Sequence, residues 1–252
     1  MYKGGKSLED EIRGTDAIVN LAGSAILKWW TNKNKQIIYD SRVRTTKNVI
    51  QAIRSLPKEK RPNKFISASA VGIYKSGLIH DESSTNFNSG FVGKVVQDWE
   101  DASNDLPDDM QRIIFRIGIV LGKEAKSVKN LILPTKMGLA ATLGKGKQGF
   151  PFVHEKDATN AIIWALEDYN QSEVFNLVAP ENISNKDFIK AFAKQLNRPA
   201  FLLVPSFFIK LILGEASELL LQGVHVQPRN LIQNGFQFKY PDIKSSLSEI
   251  LA

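Results

Sequence analysis

DAIVNLAG (16–23), with its two counterparts NKFISASA (63–70) and RIIFRIG (112–118), decides the fold class of this chain. Each is a short run rich in Ile, Val or Phe that ends in small or polar residues, and a helical pattern follows each within a short distance. That order predicts a parallel sheet with helices on both faces. Ligands of such sheets bind outside the carboxyl ends of the strands, where helix N-termini offer unpaired N–H groups. Those ends carry Ala22-Gly23, Ser67-Ala68-Ser69-Ala70 and Arg116-Ile117-Gly118. Side chains this small leave room for a flat molecule across the sheet.

Outward from the first strand, TNKNKQIIYDSRVRTTKNVIQAIRSL predicts one long helix from Thr31, a suitable N-cap, to Leu56. Ile38, Thr46, Val49 and Ile53 mark its buried face, and Arg42 falls on the same stripe. An arginine there needs an anionic partner, either a ligand phosphate or a buried carboxylate. Further helices are predicted over 91–106, about 127–140 and about 157–168, and a strand over VFNLV (174–178). Beyond residue 179 the pattern turns helix-rich. Ser184 and Asp187 form a capping box opening helix 184–197, and FLLV leads through Pro205 into a packed helix over 205–213. Pro228 and Gly235 bracket another helix, and a last one runs over 241–251.

Composition narrows the function. At 252 residues and 43% hydrophobic, the chain suits one large α/β domain, or a sheet domain with a small appended lobe. With no cysteine, and with His80, His154 and His225 far apart, no metal site is expected. AFLLVPSFFIKLIL (200–213) is interrupted by Pro205, Ser206 and Lys210 and falls short of the ~20 residues of a membrane span. Charged residues follow the start directly, without a signal-peptide pattern, so the expected location is cytoplasmic. The formal charge of +7 is spread as scattered lysines, read as a solvated surface, with nucleic acid a minor alternative.

Taken in order, DAIVNLAG, KWWTNKNKQIIYDSRV (28–43), SASAVGIY (67–74), FRIGIVLG (115–122), LGKGKQGFPFVHEKDAT (143–159), FNLVAPENISNKDF (175–188) and VQPRNLIQNGFQFKYP (226–241) resemble the atypical extended short-chain dehydrogenase/reductases, in their sugar-nucleotide-epimerase-like "epimerase family protein" branch. The resemblance covers essentially the whole chain. It implies a Rossmann-like, doubly wound NADP- or NAD-binding domain over 1–178 and a helix-rich substrate lobe over 179–252. Two departures stand out. The family opens with strand–GxxGxxG–helix about forty residues ahead of this start. Lys3-Gly4-Gly5-Lys6 cannot serve in its place, so the first strands and the pyrophosphate turn are expected to be missing and cofactor binding by these residues alone to be weak. The family's YxxxK acid/base motif would fall on Phe91 to Val95, with Phe and Val in place of Tyr and Lys.

By the same resemblance Asn20, Ala22 and Gly23 line the cofactor's adenosine-diphosphate side, Ser67 and Arg42 belong with them, and Arg116 and Ile119 pass the nicotinamide. Ser69 matches the family's active-site serine, with a helix cap as the alternative. Tyr74 is either a replacement proton carrier or an interface aromatic. His154 is placed on the substrate side, and Asp157 matches the family's helix-capping aspartate. Gly144-Lys145-Gly146-Lys147-Gln148-Gly149 spells GxGxxG, yet follows no convincing strand and opens no helix. As a loop with free N–H groups, Lys145 and Lys147 suit a substrate phosphate; as a solvated turn they do nothing. The expected activity is an NAD(P)-dependent epimerase or oxidoreductase acting on a small or nucleotide-linked substrate. The alternatives are a non-catalytic nucleotide- or protein-binding descendant and, less favoured, an RNA binder.

Overall fold

The structure, a computed structural model, describes residues 7–252. Lys3-Gly4-Gly5-Lys6 lies outside the described residues. The first half runs α1 (Leu8–Ile12), β1 (Ala17–Asn20), α2 (Asn32–Asp40), α3 (Val43–Ser55), β2 (Lys64–Ala70), β3 (Ile79–His80), α4 (Phe91–Asp101) and β4 (Gln111–Ile117). The second runs β5 (Ile119–Leu121), α5 (Lys126–Lys136), β6 (Ala141–Leu143), β7 (Phe152–His154), α6 (Glu155–Glu167) and β8 (Glu173–Leu177). It closes with α7 (Asn185–Gln195), β9 (Leu202–Val204), α8 (Ser206–Leu213), α9 (Glu218–Leu221), β10 (His225–Val226), α10 (Arg229–Gln233) and α11 (Ile243–Ile250).

The main sheet has the order β1-β2-β4-β8 and is parallel throughout, so helical crossovers must join its strands. Alternation along the strands sends neighbours to opposite faces. Phe65 packs with Ile12, Ile50 and Ile53 of α1 and α3, whereas Ile66 packs with Ala161 and Ala165 of α6 and with Leu231 of α10. The sheet is therefore doubly wound, as the sequence predicts. A third core joins Leu121, Val128 and Phe152 to Phe188 and Phe192 of α7 and Leu247 of α11.

Several expectations change. The helix predicted over 31–56 is two helices, broken at Ser41 and Arg42. The Ser41 hydroxyl and the Arg42 guanidinium both donate to the Ile38 carbonyl, at 3.0 and 3.2 Å, competing with the helical ladder. Thr31 does cap α2, and Ile38, Thr46 and Ile53 are buried, but Val49 is only half-buried. The cap of α6 is His154, whose Nδ1 accepts from the Lys156 N–H, not Asp157. Asp157 instead accepts from the Lys239 and Tyr240 N–H groups at 2.9 Å, tying α6 to the C-terminal segment. A short strand, β6, does precede the glycine-rich loop, paired with β9. Helix α8 follows Pro205 as predicted, yet only its inner side packs: Ile209 is buried while Phe207, Phe208, Leu211 and Ile212 are exposed.

Candidate functional site

Parallel register aligns the strand tips, so polar residues far apart in the chain become neighbours. Asn20 stands beside Ser67, and Ser69, Arg116 and Asn176 form one row across β2, β4 and β8.

At the tip of β1, the Asn20 amide donates to Thr46 Oγ1 at 2.9 Å, and its carbonyl accepts the Ala22 N–H at 3.2 Å. The Trp99 indole N–H also donates to Thr46, so one hydroxyl fixes both groups. The Arg42 guanidinium lies over the Trp99 ring and donates to the Ser24 carbonyl at 3.1 Å and the Ile38 carbonyl at 3.2 Å. No carboxylate pairs with it among the described residues. Burial lowers its pKa below the usual arginine range. The guanidinium packs closely on Gly23, where a Cβ would come within 3.2 Å of its carbon. A groove of about 1000 Å³ runs along β1, between α1 and α3, and takes in Asn20 and Ala22.

The central row is a closed polar network. Arg116 donates from Nε and Nη2 to the two Glu100 carboxylate oxygens, both at 2.8 Å, in the bidentate fork that guanidinium geometry favours. Ser69 donates to the same carboxylate at 2.5 Å. Arg116 Nη1 donates to the Tyr74 hydroxyl at 2.8 Å, which donates in turn to Asn176 Oδ1 at 2.8 Å. The Asn176 N–H reaches Glu82, which also accepts from the Asn230 N–H. Tyr74 is buried and stacks on His80, with ring centroids 4.7 Å apart. Burial alone would lower the Arg116 pKa, but Glu100 outweighs it and holds the group well above its ordinary value. Burial raises the Tyr74 phenol, against the opposite pull of Arg116 and Asn176. Sequence reasoning picked out Ser69, Tyr74 and Arg116 and missed Glu100, Asn176 and Glu82. A glutamate nine residues after Phe91 carries no local signal of a partner on β4.

The other candidates lie elsewhere. The Ser67 hydroxyl is buried and bonded to the Ala68 carbonyl. Ile119 sits on β5 opposite Phe152. Lys145 and Lys147 are exposed, but the loop N–H groups are less free than expected: those of Gly144, Gly146 and Gly149 donate to the carbonyls of Val204, Leu143 and Gly223. His154 is fully buried, stacked on Tyr240 at 3.9 Å, with Nε2 2.9 Å from Glu249 of α11. Its ring faces the C-terminal helix. Where YxxxK would fall, Val95 is buried and Phe91 packs edge-on against Trp30. No group of three or more His, Asp or Glu suited to a metal occurs among the described residues.

Known proteins match this chain in sequence and in fold. The model of the NAD dependent epimerase/dehydratase family matches residues 4–178. The chain belongs to this family. A second model, a domain of unknown function (DUF1731), matches residues 204–250. The epimerase family protein YfhF of Bacillus subtilis is 34% identical over 251 residues, covering 98% of this chain and 82% of that protein. The human epimerase family protein SDR39U1 is 31% identical over 243 residues, 94% of this chain and 82% of its own. The crystal structure of human SDR39U1 isoform 2 with NADPH superposes with a TM-score of 0.90 at 31% identity, covering 96% of this chain and 85% of that one. A nucleoside-diphosphate sugar epimerase from Corynebacterium glutamicum gives 0.74 at 25% identity, over 96% and 47%. No helix among the described residues is long and apolar enough to cross a membrane.

Proposed function

We propose that the protein binds NADP(H) or NAD(H) across the tips of β1, β2 and β4 and acts as an epimerase or oxidoreductase on a small or nucleotide-linked substrate. The observation that carries this reading is Arg42, a half-buried guanidinium held by carbonyls and an indole face with no carboxylate to neutralise it. A charge so placed is suited to an anionic ligand. The small residue Ala22 adds little bulk beside it, and at Gly23 the guanidinium itself takes the place of a side chain. Similarity to a human protein whose structure contains NADPH supports the same ligand class.

In this reading Asn20, Ala22, Gly23, Ser67 and Arg42 hold the adenosine-diphosphate side, and Arg116 and Ile119 flank the nicotinamide side. The bound dinucleotide supplies a hydride donor or acceptor. Ser69, whose proton is committed to Glu100, keeps lone pairs that accept from a substrate hydroxyl. Tyr74 is the phenol nearest that serine in the chain and is oriented by Arg116. Lys145 and Lys147 present point charges to a substrate phosphate.

A second reading, a nucleotide-binding descendant without catalysis, is favoured by one specific feature. Phe91 and Val95 cannot exchange protons, and the Tyr74 hydroxyl is already bonded on both sides. The two readings share the ligand and differ in turnover. NADPH titration into the purified protein tests the shared part. Arg42→Met should weaken binding about 10- to 100-fold, the worth of one lost charge-assisted contact, in addition to the modest loss of stability expected from its carbonyl and indole contacts. Unchanged affinity with a lowered melting temperature would make Arg42 a structural residue.

A further inference from the structure

The region 201–212 has its apolar side chains on the wrong side for a globular protein. Phe201 just ahead of β9, Leu203 on β9, and Phe207, Phe208, Leu211 and Ile212 on α8 are all exposed, Phe201 at 75% and Leu211 at 72%. On α8 the spacing of four residues puts these side chains on one face, opposite buried Ile209. Parallel pairing of β6 with β9 sets Ala141 beside Leu202, so exposed Leu139 and exposed Phe201 both lie within two residues of the start of that pair, with exposed Met137 two residues further back. At the far end of α8, the Trp29 ring lies against Gly214 and is itself more than half exposed. Contiguous apolar surface of this kind marks an interaction site.

Charge indicates what covers it. Residues 126–143 and 194–214, which carry all of the patch but Trp29, contain Lys126, Lys129, Lys136, Lys194, Arg198 and Lys210 and not one Asp or Glu, and the next residue, exposed Glu215, pairs with Lys35. At the chain-wide frequency of 26 acidic residues in 252, about four would be expected there. All six basic residues are exposed, and only Lys129 has a carboxylate partner among the described residues, Glu124 just outside the first segment. A second copy of this chain would set these charges against themselves, and protein interfaces are depleted in lysine. Phe and Leu beside Trp and Lys is the composition of a surface that sits shallowly in a lipid interface.

We propose that the β9–α8 face docks peripherally on a membrane surface containing anionic phospholipids. The apolar side chains enter the headgroup boundary and the surrounding lysines meet lipid phosphates.

The test is sedimentation of the protein with vesicles of equal parts phosphatidylglycerol and phosphatidylcholine, and with phosphatidylcholine alone. Binding to the mixed vesicles, weak binding to the neutral ones, and release by high salt are expected. Phe207→Asp with Leu211→Asp replaces two exposed side chains and spares the core; it should lower vesicle binding at least about tenfold with an unchanged circular dichroism spectrum. Lys136→Glu with Lys210→Glu should lower binding to the mixed vesicles only. Absence of wild-type binding to either vesicle overturns the proposal, as does equal binding by the Asp variant. Self-association that the Asp variant abolishes, without vesicle binding, would assign the face to a second copy instead.

Discussion

Glu100→Gln probes the polar row most directly. Glutamine keeps the shape of the side chain but presents one NH2 where the carboxylate presented oxygen. In the native site both oxygens accept: one from Arg116 Nε and Ser69, the other from Arg116 Nη2. After the change at least one donor faces a donor, and the Arg116 charge stays in place without its counter-ion. Side-chain exposure is only 7% for Arg116 and 12% for Glu100, so water cannot restore the balance. Breaking one side of a buried pair costs about 3–5 kcal/mol. For a chain of this size that corresponds to a melting temperature lower by roughly 10 °C. Urea unfolding followed by tryptophan fluorescence measures it, since buried Trp99 lies on the same helix. The companion variant, Glu100→Leu with Arg116→Met, removes both charges and should recover most of the loss, to within about 2 kcal/mol of the parent. A Glu100→Gln protein within about 1 kcal/mol of the parent would refute the reasoning, and so would a double variant no better than the single one.

Two further outcomes follow from local geometry. A Cβ at Gly93 would lie 1.9 Å from the Asn88 carbonyl oxygen, so Gly93→Ala must push α4 off the preceding turn and should cost about 1–3 kcal/mol in the same unfolding assay; a loss below about 0.5 kcal/mol would show that the turn yields freely. Burial raises the Glu82 pKa above its ordinary 4.5, opposed by hydrogen bonds from the Asn176 and Asn230 N–H groups. Folding therefore favours its protonated form, and that contribution is present below the ordinary carboxylate pKa and lost as the pH rises through the raised one. The stability of the parent minus that of Glu82→Gln should thus fall as the pH rises from 4.5 towards neutrality, and a flat or rising difference would contradict it.

Local pattern was sufficient for the elements that build the sheet. The β-branched runs that became β1, β2, β4 and β8, the Thr31 cap and the Ser184–Asp187 box are statements about residues within a few positions of one another, and they were legible without a structure. What needed tertiary structure was the choice of partner for each polar side chain. Arg116 meets Glu100 and Tyr74 only because parallel register lays β2 beside β4 and α4 returns across them. The break at Ser41 and Arg42 depends on where the guanidinium finds carbonyls, Ser24 among them, eighteen residues away in sequence. The pairs β3–β10, β5–β7 and β6–β9 are two or three residues long, too short for periodicity to register, and exist because distant segments supply the other strand. Hydrophobic period is a property of a segment, whereas hydrogen-bond satisfaction and burial of charge are properties of an assembled neighbourhood. The chain therefore declared its Rossmann-like sheet locally, and only folding decided that Ser69, Tyr74 and Arg116 form one network while His154 and the 144–149 loop stand apart from it.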